Sequence, residues 1–176
     1  MNLKIFNTLS KKLESFKPLN DTVKVYACGP TVYNHPHIGN ARPAIIGDIL
    51  IRILRKIFKK VVYVRNITDI DDKINDKAKE EKVSIEIISL KYTKVYQENM
   101  RALNVLPPDI EPTVTQNMHS IIKMVSSLLE KKHAYEAENH ILFHVPSFKD
   151  YGNLSKRKKD EMIEGSRVEV APYKKD

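Results

Sequence analysis

The sequence predicts an α/β fold. Residues 23–28 alternate between apolar and polar side chains, as a strand does, and residues 61–67 form a second β-rich run. Between them, apolar side chains recur at helical spacing over residues 44–57. A strand, a helix and a strand in this order form a βαβ unit with parallel strands. We therefore expect the first half of a doubly wound parallel, Rossmann-like, nucleotide-binding sheet.

The remaining segments predict mostly helix. Residues 4–20 read as an irregular entry, and helical patterns cover residues 71–81 and 85–103, with prolines breaking the chain over residues 106–112. A further amphipathic helix over residues 116–132 and a small hairpin over residues 134–145 predict the start of a helix-plus-hairpin insertion. We place the domain boundary between residues 1–115 and 116–176.

Composition limits the class of protein. The formal net charge is +8, from 30 Lys and Arg against 22 Asp and Glu, which suits a polyanionic partner but also fits a Lys-rich surface. The single cysteine excludes an internal disulfide framework. Residues 1–10 contain no leader pattern, and no apolar run is long enough to span a bilayer. We expect a cytoplasmic protein without membrane association, and a monomer.

Polar residues follow the first strand at the start of the first helix. Ligands bind at this edge of open α/β sheets, and a helix N-terminus is suited to phosphate. The glycine patterns of dinucleotide folds and P-loops are absent. On the first turn, His37 and Asn40 can point together toward a polyphosphate, while Gly39 leaves room for an adenine or ribose on the backbone.

These residues belong to a longer recognisable string. Residues 28–42 read CGPTVYNHPHIGNAR, which resembles the "HIGH" signature region of class I aminoacyl-tRNA synthetases, and of cysteinyl-tRNA synthetases in particular. Matching strings follow at 64–74 (VRNITDIDDKI), 103–112, 134–135, 151–155 and 165–170. The resemblance covers most of the chain.

The resemblance implies ATP, L-cysteine and tRNA(Cys) as partners, with Mg²⁺ accompanying ATP. His37 and Asn40 would be catalytic by stabilising the ATP phosphates. The ATP-binding region would comprise Pro30, Thr31, Val32, Tyr33, Asn34, His35, Pro36, His37, Ile38, Gly39 and Asn40.

The resemblance also makes Cys28 one ligand of a zinc ion that binds the thiolate of substrate cysteine. A lone cysteine at a strand end is otherwise a small buried residue. Gly29, Thr31 and Thr68 would surround the bound cysteine, although Thr68 could instead cap a helix beginning at the next residue. The acidic residues after it invite a magnesium or acid–base role, but we favour helix capping and pairing with Lys73 or Arg65. The three are Asp69, Asp71 and Asp72.

The family pattern extends beyond this sequence. Its other zinc ligands, its "KMSKS" loop and its anticodon-binding helices would follow residue 176, so we expect a fragment that is not fully active alone. The reaction implied is ATP-dependent activation of L-cysteine and its transfer to tRNA. Two alternatives are the cysteine ligase of mycothiol biosynthesis, which shares the signature, and an inactive fragment that acts as a binding module.

Overall fold

The computed structural model describes residues 3–156, which form two compact units. The sheet unit comprises residues 17–118, and the hairpin unit comprises the described residues 3–16 and 119–156. The cationic run that continues beyond Lys156 and the family string at 165–170 lie outside the described residues.

The sheet unit is built on parallel strands. Strands β3 (Val23–Ala27) and β4 (Val61–Arg65) pair in parallel with Val23 opposite Val61, which confirms the predicted βαβ arrangement. Ile110, within the predicted break over residues 106–112, forms a parallel bridge with Val64 of β4, and Thr113 just after the break forms one with Ile67. The Pro112 carbonyl accepts a hydrogen bond from the Ile67 N–H at 2.9 Å. Prolines are tolerated here because this segment lies at an edge and pairs through isolated bridges.

Helix α1 (Ile38–Ile57) joins the two strands and begins earlier than its apolar pattern suggested. Its buried face includes Ala44, Ile51 and Leu54. Asp48 and Arg52 form an i,i+4 ion pair on this helix, with Arg52 Nε 2.7 Å from Asp48 Oδ2.

Proline is also found in this helix. Pro43 lies inside the helix, where it supplies no N–H to the Gly39 carbonyl four residues earlier.

Helices α2 (Asp72–Glu81) and α3 (Ile85–Ala102) follow β4 and pack against each other. Ser84 caps α3 by accepting a hydrogen bond from the Ile87 N–H, and Asp71 caps α2. The core of the sheet unit joins α1, α2 and α3 to the loops after the strands. Its members include Val32, Ala44, Ile67, Ile74, Ile88, Tyr92, Tyr96 and Met100.

The hairpin unit contains helix α4, most of which lies in this unit, and two antiparallel hairpins. Strands β5 (Ala134–Ala137) and β6 (His140–Phe143) form the predicted hairpin after α4 (Met118–Glu130). The expectation of an irregular entry was wrong, because β1 (Lys4–Asn7) pairs with β2 (Lys12–Ser15). Within the described residues, no helix combines the length and apolar character that crossing a bilayer requires.

Candidate functional site

The ends of the two central strands are joined by direct hydrogen bonds. The Thr68 N–H donates to the Pro30 carbonyl at 3.0 Å, and the Val32 N–H donates to the Thr68 carbonyl at 3.2 Å. These bonds form a parallel bridge between Thr31 and Thr68. Both threonines are half-buried. The structure thus brings together two residues that the sequence assigned to one amino acid site.

Gly29 lies on the backbone of the neighbouring strand end. A Cβ at this position would lie 1.5 Å from the Asn66 carbonyl oxygen, which is far inside van der Waals contact. The Gly29 N–H also donates to Asn66 Oδ1 at 2.9 Å. Glycine is therefore required here by the close approach of two backbones, a local reason that the sequence pattern alone did not reveal.

The first helix begins with a reciprocal capping box. The ring Nδ1 of His37 accepts the Gly39 N–H at 3.0 Å, and Asn40 Oδ1 accepts the His37 N–H at 3.0 Å. An accepting Nδ1 carries no proton, so the proton of the neutral ring is on Nε2. The amide oxygen of Asn40 is likewise occupied, which leaves its NH₂ group. Each side chain therefore keeps a hydrogen-bond donor that the capping box does not use.

The glycine between these two residues is also required by the capping box itself, whereas its predicted place beside a nucleotide stays a prediction. A Cβ on Gly39 would lie 2.7 Å from His37 Cε1 and 2.9 Å from its Nδ1. The absence of a side chain therefore makes room for the capping imidazole of the same chain.

The loop before α1 forms a shallow recess against α3. Its walls include Pro30, Thr31, Val32, Tyr33, Asn34, His35, Pro36, His37 and Asn40, and thus most of the predicted ATP-binding region. Ile38, by contrast, is 83% exposed and lies outside this wall.

Two residues that the sequence did not assign, Tyr92 and Tyr96, complete the recess. The His35 ring packs edge-on against Tyr92 with 5.6 Å between ring centroids. The sequence predicted only that they lie on a helix over residues 85–103. Their position beside the loop becomes apparent only when α3 is packed.

Cys28 follows β3 as a free, exposed cysteine. It borders a second small recess with Asn40 and Arg65. Its accessible thiol is suited to Zn²⁺, because thiolates are among the usual ligands of this ion. Within residues 3–156, no three metal-binding side chains lie close enough together to hold an ion. The described residues thus fit one zinc ligand rather than a complete centre.

A buried cation lies beneath this edge. The Arg65 side chain is 4% exposed, and its Nη2 lies 3.7 Å from Glu111 Oε1, so the expected pairing with an acidic residue after Thr68 was wrong. Its guanidinium carbon lies 5.5 Å from the centroid of the Tyr96 ring. Burial raises the pKa of Tyr96, although the nearby Arg65 charge acts in the opposite direction.

The acidic residues after Thr68 divide into different roles. Asp71 caps α2 by accepting the Lys73 N–H at 3.0 Å, as predicted. Thr68 is not a helix cap, because α2 begins at Asp72. Among residues 3–156, Lys73 makes no ion pair with an acid; its Nζ lies 5.2 Å from the centroid of the Tyr33 ring.

Asp69 instead accepts hydrogen bonds from Thr115, which follows the segment beside β4. Its Oδ1 accepts the Thr115 N–H at 3.1 Å, and its Oδ2 accepts the Thr115 hydroxyl. Partial burial acts to raise the pKa of Asp69, but these hydrogen bonds and one from Thr113 outweigh it, so the pKa lies below its usual value.

The parallel strands and the capped helix at their carboxyl edge define a class I type of catalytic domain with a partial Rossmann-like sheet. Residues 15–176 match the family model for the tRNA synthetases class I (C) catalytic domain, and the chain belongs to this family.

Curated relatives carry the name cysteine–tRNA ligase. This chain is 54% identical to the protein of Parvibaculum lavamentivorans, and the match covers 100% of this chain and 38% of the relative. It is 51% identical to the protein of Saccharophagus degradans, over 99% of this chain and 38% of that relative. It is also 51% identical to the Rhodospirillum rubrum protein, and this match covers 100% of this chain and 39% of that relative. The chain thus spans less than half the length of these relatives.

Proposed function

We propose that the protein carrying this sequence activates L-cysteine with ATP and transfers it to tRNA(Cys). The observation that carries this proposal is the clustering at one edge of the sheet unit. A free thiol at Cys28, the Thr31–Thr68 bridge and the donor pair on α1 all follow the carboxyl ends of β3 and β4 or begin the next helix. The names of the relatives agree with this reaction.

The capping box supports an ATP phosphate site. The accepting atoms of His37 and Asn40 are held by backbone N–H groups, so Nε2–H and the amide NH₂ are the atoms left for a ligand. Two donors beside the positive end of a helix dipole favour an anion. The same donors would stabilise charge that develops on the α-phosphate when the amino acid carboxylate attacks it. Mg²⁺ would accompany the nucleotide and neutralise its phosphates.

The free thiol supports a metal-assisted choice of substrate. We infer that Cys28 supplies one thiolate to a Zn²⁺ ion that, when bound, holds the sulfur of the substrate. Serine offers only a hydroxyl, which is a much poorer ligand for zinc than a thiolate. A metal–sulfur bond could then discriminate the two amino acids without a separate editing step. Gly29, Thr31 and Thr68 would line the remainder of the amino acid site.

We also propose a division of the chain into two segments. Residues 1–115 would supply the first part of the catalytic domain, and residues 116–176 would begin an insertion. The basic balance of the chain suits a tRNA partner, and the expectation of a cytoplasmic monomer remains a prediction.

The deciding experiment uses the intact protein that contains this sequence. ATP–pyrophosphate exchange should depend on cysteine and proceed poorly with serine, and charging of tRNA(Cys) should follow. Equal exchange with both amino acids would eliminate the zinc–thiolate proposal. Cysteine-dependent exchange without tRNA charging would favour an acceptor such as the amino sugar of mycothiol synthesis, whereas the absence of exchange would favour a binding module.

A further inference from the structure

The side-chain amide of Asn66 bridges two residues of the proposed amino acid site. Its Oδ1 accepts the Gly29 N–H at 2.9 Å, and its Nδ2 donates to Thr68 Oγ1 at 3.3 Å. Both bonds are partly buried. Asn66 lies within the family-like string 64–74, but the sequence alone assigned it no role of its own.

The direction of each bond is fixed by chemistry. A backbone N–H can only donate, so the amide oxygen of Asn66 must face Gly29. The NH₂ group must then face Thr68, and the Thr68 oxygen becomes an acceptor. The hydroxyl proton of Thr68 therefore points elsewhere. Within residues 3–156, this hydroxyl makes no second hydrogen bond.

We propose that Asn66 is a positioning residue that keeps the Thr68 hydroxyl available as a donor to an anionic group of the bound amino acid. This inference rests on the proposed function. Cysteine carries two groups with the required chemistry, its carboxylate and its thiolate, and each accepts a hydrogen bond from a hydroxyl. Asn66 does not itself touch the substrate and acts through Thr68.

The isosteric change Asn66→Asp tests the polarity of this bridge. The carboxylate still accepts the Gly29 N–H, so the link between the strand ends is retained. Its second oxygen, however, accepts the Thr68 proton and removes the donor from the site. We expect the KM for cysteine in ATP–pyrophosphate exchange to rise at least about tenfold, as for loss of a hydrogen bond to a charged group. The KM for ATP should be unchanged.

Variants of Thr68 provide the matched controls. Thr68→Ser keeps the donor and should leave the KM for cysteine close to that of the unmodified protein, whereas Thr68→Val should raise it as Asn66→Asp does. In a Thr68→Val background, Asn66→Asp should add no further increase. An equal rise in both KM values, or a full additional effect in that background, would overturn the proposal. If Asn66→Asp does not fold, the comparison of Thr68→Ser with Thr68→Val tests the proposal. Equal KM values for cysteine in these two variants would overturn it.

Cysteamine, which lacks the carboxylate, identifies the acceptor. It is assayed as an inhibitor of exchange by the unmodified protein and by Asn66→Asp. Weaker binding of cysteine alone assigns the acceptor to the carboxylate, and weaker binding of both ligands assigns it to the thiolate. Unchanged binding of cysteine overturns the inference. Failure of the proposed function is a separate result, because the unmodified protein would then show no cysteine-dependent exchange.

Discussion

The hydroxyl of Tyr63 lies 2.8 Å from the point that a Cβ on Gly47 would occupy. Tyr63 is 1% exposed, and its hydroxyl has no hydrogen-bond partner among the described residues. The glycine in the middle of α1 thus accommodates a phenol oxygen from β4, at the cost of helix propensity.

Gly47→Ala should therefore have opposite effects in two backgrounds. With Tyr63 present, overpacking should cost about 1–3 kcal/mol and exceed the gain of roughly 1 kcal/mol from helix propensity. In a Tyr63→Phe background, the nearest remaining ring atom lies 3.6 Å from the new methyl, an ordinary contact, and Ala should stabilise. Urea unfolding of the four proteins measures the coupling. Equal effects of Gly47→Ala in both backgrounds would contradict this packing account.

Asn40→Asp should separate helix capping from ligand binding. The carboxylate keeps the acceptor for the His37 N–H and adds negative charge at the positive end of α1, so thermal stability should be retained or raised. The donor NH₂ is lost and replaced by an anion, so the KM for ATP should rise by at least about tenfold. Asn40→Ala is the control, since it should lose both properties. Normal ATP binding by Asn40→Asp would argue against the phosphate role.

Gly29→Ala should disrupt the strand ends. The methyl group would meet the Asn66 carbonyl oxygen, which is backbone and cannot rotate away, so a loss of about 3 kcal/mol or more in stability is expected. Ile38→Ala is a suitable control, because that side chain is 83% exposed and should change stability little. Comparison of the two melting temperatures provides the measurement. Similar melting temperatures would mean that the backbones separate easily at this point.

The link between Asp69 and Thr115 should depend on pH. Because the pKa of Asp69 is lowered in the folded protein, its stabilising contribution is present above the usual value near 3.8 and is lost as the pH falls through the folded pKa. Thr115→Val removes the hydroxyl donor and should move the pKa of Asp69 upward. Carboxyl titration by NMR measures the shift, with exposed Thr8→Val as a control that leaves it unchanged. No difference between the two variants would exclude the hydroxyl as a cause.

Cys28→Ser should reduce both the binding of zinc and the preference for cysteine as substrate. Serine is a weak zinc ligand, so the intact protein should contain less Zn²⁺ by metal analysis, and its preference for cysteine over serine should fall. The KM for ATP should change much less than the selectivity for cysteine, because capping hydrogen bonds, and not the thiol, hold the side chains of His37 and Asn40. Full zinc content in the variant would remove Cys28 from the proposed metal site.

The sequence was sufficient for the βαβ unit, since apolar periodicity determines both which segments pair and which face of α1 is buried. The parallel pairing of Val23 with Val61 and the Asp48–Arg52 pair follow from such local rules. The hairpin at residues 4–15 was missed because its turn places Lys11 at a φ of 56°, where the glycine or asparagine of a typical hairpin turn is absent.

The site divides along the same line. The proximity of His37 and Asn40 could be predicted from sequence, because residues three apart at the start of a helix share a face, whereas their catalytic role stays a prediction. Contacts between residues of different elements could not be predicted in this way. Asn66 meets Gly29 across the strand ends, and Asp69 meets Thr115 after a long excursion through α2 and α3. Such contacts depend on tertiary packing, which local periodicity does not encode.

Pro43 divides the hydrogen-bond ladder of α1. The first turn of this helix lacks the hydrogen bond that an amide N–H at residue 43 would have donated. The capping hydrogen bonds between His37 and Asn40 therefore contribute a larger share of the stability of this turn. Hydrogen exchange should therefore distinguish two cooperative segments, with amides before Pro43 opening independently of those after it. A nucleotide that engages His37 and Asn40 would then slow exchange in the short first segment and leave the long second segment unaltered.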